Sequence, residues 1–160
     1  MTTVAEPAVA PKPSYLGLVN AIAVAEGHGH RSFTDWADRT ADPDMEAVLR
    51  LVAAREGEHS STFARRVVEL GYRVRPRPLT EEEEHRAEVA ASDHSDLEKL
   101  LALGYGKDAG DADTFDGYFR DHSIDPTTCA LLGRFIGEER DSARMLRQAC
   151  VRLQAAASSA

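Results

Sequence analysis

Over most of this chain the apolar residues recur at steps of three and four, and almost no segment alternates with a period of two, so the backbone must fold as helices packed on one another. Tyr15, Leu18, Val19, Ile22, Phe33 and Trp36 mark a first helix running to about Thr40, with Pro13 and Ser14 suiting its start. Ala41-Asp42-Pro43-Asp44 is a turn with a helix restart. Met45, Val48, Leu49, Val52, Phe63, Val67 and Leu70 then mark a second helix ending at Gly71. These two form an antiparallel hairpin. The stretch from Tyr72 to Pro78 contains two prolines and no periodicity, which predicts an extended connection across the surface. Thr80 and Glu83 have the form of a capping box and open a short polar helix through about Ala91. A third long helix is expected from Ser95 or Asp96 to about His122, carrying Leu97, Leu100, Leu101, Phe115 and Tyr118. Its glycines, Gly104, Gly106, Gly110 and Gly117, each cost about 1 kcal/mol against alanine, so it needs tertiary support or breaks. Asp125-Pro126 supplies an N-cap and a first-turn proline for a fourth helix bearing Leu132, Phe135, Ile136, Leu146 and Leu153.

With 160 residues the chain is the size of one domain, read here as a loose tail over 1–13, a bundle over 14–154 and a frayed end over 155–160. The net charge of -8 gives no electrostatic reason to bind nucleic acid. No apolar run approaches the ~20 residues that span a bilayer, and the N-terminus lacks the pattern of a secretory signal. Cys129 and Cys150 fall on one predicted helix and lie roughly 30 Å apart, far beyond disulfide reach. Free thiols suit a reducing compartment, and the expected location is cytoplasmic.

The residues that carry chemistry are those that interrupt the apolar seams, because a charge inside a bundle costs several kcal/mol unless it is paired or binds a metal. The first seam steps through Leu18, Ile22, Glu26, Gly29, Phe33 and Trp36, and the second through Met45, Val52, Glu56, His59, Phe63 and Leu70. Glu56 and His59 share a helix face. The third passes Leu97, Leu101, Gly104, Asp108, Phe115 and Tyr118, and the fourth Leu132, Ile136, Glu139, Ala143, Leu146 and Cys150. Glu26, Glu56, His59, Asp108 and Glu139 are therefore the candidate metal ligands. Glu26 and Asp108 each precede a phenylalanine, Phe33 and Phe115, by the same interval, an internal echo that suggests two related hairpins. His28 and His30 alternate with glycines; only His30 lies one turn beyond Glu26.

On these residues the chain resembles the ferritin-like superfamily, and within it the rubrerythrin-like di-iron carboxylate proteins. The resemblance implies an antiparallel four-helix bundle with one long crossover connection. It also implies an iron centre of one or two ions, with manganese as the other option. Glu26 resembles the family's lone glutamate and Glu56-Gly57-Glu58-His59 its Glu-x-x-His motif. The second half departs from the pattern. Asp108 stands at the other lone-glutamate position, and Glu139-Arg140-Asp141-Ser142 has no histidine; shifting the frame to Glu138 with Asp141 supplies none either. A hydroxyl is a poor ligand for iron or manganese, so the second metal position is expected to be weak or empty.

Two functions are compatible with this sequence. One is an oxidoreductase acting on oxygen or peroxide, or an iron-handling protein; lacking any Cys-x-x-Cys pair, it would take electrons from an external donor. The other is a non-catalytic bundle with a degenerate site, acting as a binding or assembly module, for example as a homodimer.

Overall fold

The computed structural model of the chain describes residues 11–107 and 115–159. Their regular structure is helical, with no strand among the described residues: α1 (Leu16–Ala37), α2 (Pro43–Glu69), α3 (Glu81–Ala91), α4 (Asp96–Ala102) and α5 (Pro126–Ser158), with a single 3-10 turn at Tyr118–Arg120. No helix among them is long and apolar enough to cross a membrane.

The boundaries follow the local chemistry of the sequence. Asp42 caps α2, its Oδ1 accepting from the Asp44 and Met45 amides, and Pro43 occupies the first turn, where no amide hydrogen is needed. Thr80 and Glu83 form a reciprocal capping box on α3, and Ser95 and Glu98 form another on α4. Asp125 caps α5, which contains both free cysteines and continues through Ser158.

α1 and α2 run antiparallel. Ser60 Oγ donates to the Ala23 carbonyl, while His30 Nδ1 lies 2.7 Å from the Ala53 carbonyl, so residue numbers rise on one helix as they fall on the other. α5 is antiparallel to α2 in turn. Arg66 reaches Asp125 and Thr128 at one end, and Arg152 reaches Asp42 at the other. The connection after Gly71 is extended and tied to α1, since the Arg75 amide donates to Asn20 Oδ1 and Asn20 Nδ2 donates back to the Arg75 carbonyl.

The third element differs from the expected long helix between Ser95 and His122. α4 stops after seven residues at Leu103, its C-cap, because Gly104 adopts a left-handed φ of 84°. The Tyr105 amide then bonds back to the Leu100 carbonyl and the Gly104 amide to that of Leu101, a Schellman closure that ends the helix and turns Tyr105 back toward α5. The facing also differs. Leu100 is fully buried while Leu101 is 45% exposed, the reverse of a seam through Leu101. Asp108 lies outside the described residues.

Two apolar clusters form the interior. One gathers Phe33, Trp36, Met45, Leu49, Val52, Leu100, Leu146 and Cys150; the other gathers Val19, Ile22, Phe63, Val67, Leu132, Phe135 and Ile136. Along each long helix the residues between these clusters are the polar ones. They are Glu26 on α1, Glu56 and His59 on α2, and Glu139 and Ser142 on α5.

Candidate metal centre

His59 is the hub of this polar layer. It is 4% exposed, and the Phe135 ring meets its imidazole edge-on at 5.0 Å. Nδ1 lies 3.0 Å from Glu26 Oε2 and 3.6 Å from Glu139 Oε1, whereas Nε2 lies 2.6 Å from Glu138 Oε2. The Glu138 carboxyl is held below its ordinary pKa: burial acts against this, but hydrogen bonds from Arg134 and His59 prevail. An ionised carboxylate can only accept, so Nε2 carries a proton. Arg134 reinforces this arm, donating through Nε to Glu138 and through Nη2 to Glu58.

The opposite arm is short of positive charge. Glu26 and Glu56 are buried, and one oxygen of Glu56 (Oε2) and one of Glu139 (Oε1) are shut off from solvent without a hydrogen-bond partner. Buried polar atoms are normally satisfied, so two orphaned carboxylate oxygens in one layer mark a place for a proton, a hydrogen-bond donor or a cation. Burial is the largest influence on Glu56 and, with the charges of Glu26 and Glu139, holds its carboxyl well above the ordinary value. Burial and Glu26 push Glu139 up to about 7, against the opposing charges of His59, Arg86 and Arg55. For His59, burial disfavours the cation, but the hydrogen bonds to Glu26 and Glu138 outweigh it and raise the pKa. Without a metal, protons do the neutralising.

Glu26, His59 and Glu139 offer one ligand atom each, all within 4.8 Å of one another. Ligand atoms about 2.1 Å from an ion lie about 3 to 4 Å apart, so a small contraction would close this set around a cation. Nδ1 would be the coordinating nitrogen, and Nε2–H donating to Glu138 is the outer hydrogen bond that fixes the ring and raises its basicity. Three of the five candidate ligands are thus brought together. Glu56 lies in the same layer, electrostatically coupled to Glu26 and Glu139 but outside the tight group.

Glu56 owes its position to Gly29. A Cβ at Gly29 would fall 1.5 Å from Glu56 Oε2 and 2.7 Å from its Cδ, so only glycine leaves the carboxylate room. We expect Gly29→Ala to keep the helical circular dichroism signal while displacing the Glu56 carboxylate and weakening metal affinity by about tenfold, a loss of roughly 1.4 kcal/mol. Unchanged affinity in a metal titration would remove Glu56 from the site.

His28 and His30 do not join this layer. His28 faces Glu83 at 3.3 Å, and His30 packs over Gly57 with its Nδ1 on the Ala53 carbonyl. Within the acidic run at the start of α3, Glu83 is buried and takes both arms of Arg77, whose hydrogen bonds bring its pKa to about 2 despite partial desolvation. On α5, Arg55 Nη1 donates to Ser142 Oγ at 3.2 Å and Nη2 pairs with Asp141 at 2.9 Å.

Sequence reasoning missed the role of Glu138, which it weighed only as a frame-shifted partner of Asp141. The available signal was Arg134, one helical turn earlier and suited to hold that carboxylate. Tyr118 was legible only as an apolar seam residue, and nothing in the sequence pointed to Tyr105. Burial raises both phenols, to about 12 for Tyr105, and the charge of Glu139 bears on each.

No protein-family model matches the chain, nor does any curated protein or any solved structure.

Proposed function

We propose that this protein is a metal-binding bundle of ferritin-like architecture whose centre is Glu26, His59 and Glu139, with Glu56 in reserve and iron as the ion. The observation that carries this reading is the pair of orphaned carboxylate oxygens beside His59 Nδ1, in a layer where acids outnumber cations. One imidazole with several carboxylates suits iron or manganese better than the thiolate-preferring ions. The layer's position between two apolar clusters, with ligands from all three long helices, supports the ferritin-like reading.

The chemistry assigned to this chain follows from those contacts. His59 gives up the Nδ1 proton to become a ligand and keeps the one on Nε2, because Glu138 and Arg134 hold it there. Glu139 and Glu56 lose their protons to the same event and supply the negative charge. The apolar clusters on either side shield Glu26, Glu56 and His59 from bulk water, while Glu138 and Glu139 keep partial exposure. A redox-active ion held there would supply electrons to oxygen or peroxide, the oxidoreductase form of this reading. The non-catalytic form rests on Ser142, whose hydroxyl accepts from the Arg55 guanidinium and supplies no second imidazole to the layer.

The test is metal analysis of untagged protein, followed by thermal melts with and without ferrous iron or manganese. A ligand that binds only the folded state at a hundredfold excess over Kd adds about 2.7 kcal/mol, an increase of roughly 5 to 10 °C for a domain of this size. We expect that shift, with at most one tightly held ion per chain. No shift under conditions that load metal would leave the chain as a binding or assembly module.

A further inference from the structure

Beside the carboxylate layer, the turn that closes α4 and the C-terminal half of α5 enclose a cleft of about 400 Å³, lined by Tyr105, Lys107, Arg144, Arg147, Gln148 and Val151 among others. Three cations converge there in a protein whose net charge is -8. Arg144 is satisfied by Asp141, but neither Lys107 nor Arg147 has an ion-pair partner among the described residues. Its apolar wall is the Tyr105 ring and Val151, which is 64% exposed, and the amides of Gln148 and Gln154 complete the lining. Convergent cations beside an apolar wall, in a cleft of this volume, form the usual recognition surface for a small charged ligand.

The position of Tyr105 is fixed by the Schellman closure at Gly104, so its ring is a built wall and not a surface side chain that happens to lie nearby. Burial chiefly raises its phenol, which also feels the charges of Arg86, Glu56, Glu139 and Arg147, so the cleft lies within electrostatic reach of the candidate metal centre.

We propose that this cleft binds a small organic carboxylate, its charge between Lys107 and Arg147 and its apolar body against Tyr105 and Val151. The binding stands on the cleft alone. That the bound acid is the substrate of the neighbouring centre rests on the metal reading above.

The experiment titrates the full chain with benzoate, its neutral counterpart benzamide and inorganic phosphate, followed by calorimetry and by amide shifts in nitrogen-15 spectra. Benzoate should saturate and move the Tyr105, Lys107, Gln148 and Val151 amides, with benzamide and phosphate at least tenfold weaker. Lys107→Gln combined with Arg147→Gln should weaken benzoate at least tenfold while the manganese-dependent melting shift stays at the wild-type value. Absence of saturation, phosphate binding as tightly as benzoate, or an unchanged affinity in the double variant would each overturn the proposal. Benzoate binding without any manganese shift would support the cleft and sink the metal reading instead, so the two failures are told apart.

Discussion

Metal-free protein carrying Glu139→Gln should melt higher than wild type at pH 8, and lose most of its metal-dependent gain in stability. The Glu139 carboxyl titrates near 7 in the folded chain against an ordinary value of 4.5, so between those values the folded state holds a proton the unfolded state has released. Stability therefore falls as pH rises through this window, and the loss is complete above about 7. A shift of that size is worth on the order of 3 kcal/mol. Glutamine has the shape of the protonated acid and cannot ionise, so the variant escapes this loss. Glu56 keeps its own contribution, raised in the same direction by burial, and the decline with pH becomes shallower without vanishing. At the acid end the sign reverses. Glu83, lowered to about 2 chiefly by Arg77, contributes stability that is present above 4.5 and lost as pH falls toward 2. Metal-free wild type should thus be most stable on the acidic side of neutrality, and added manganese should help most at high pH, where the ligands are already deprotonated. Melts from pH 4 to 9 check all of this. A Glu139→Gln protein no more stable than wild type at pH 8 would show that the buried carboxylate is already neutralised by something else.

The seams through Glu26, Glu56, His59 and Glu139 were legible in the sequence because a helix that packs along its whole length forces a fixed period, and an acid on that period is conspicuous. The caps at Asp42, Thr80, Ser95 and Asp125 were legible for a similar reason, since capping depends on a few adjacent residues. The third element was not. Its apolar residues fit the helical period, but Gly104 had the choice between costing a helix some stability and ending it, and the Schellman bonds to Leu100 and Leu101 decided for the end. Helix rotation there was misjudged with it, placing Leu101 inward where Leu100 is. The partner of His59 Nε2 was equally hidden. Glu138 and Glu139 are adjacent on α5, so both can meet one imidazole only if α5 points its seam between them, a rotation that periodicity does not resolve.

His59→Ala should be the most damaging single change in the layer. In the metal-free chain the imidazolium is the only buried cation touching Glu26, Glu138 and Glu139 among the described residues. Removing one partner of a buried ionic cluster leaves the other charges uncompensated, a loss of about 3 to 5 kcal/mol, or roughly 10 °C in melting temperature for a domain of this size. The edge-on contact with Phe135 goes with it. A histidine that served only to fill the core would cost about 1 to 3 kcal/mol, and the loss would be the same with or without metal. The two accounts part on pH and on metal. If His59 neutralises the layer, the penalty in the variant grows as pH rises through 7, because the Glu139 carboxylate then forms with no imidazolium beside it. If it is also a ligand, manganese raises the wild-type melting temperature and moves that of the variant much less, since Glu26, Glu139 and Glu56 without an imidazole give an all-carboxylate site of lower affinity. Adding Glu139→Gln to His59→Ala should return part of the lost stability at pH 8 by removing one stranded charge, yet restore no response to metal. Recovery of the metal response in that double variant would place the binding site elsewhere in the molecule.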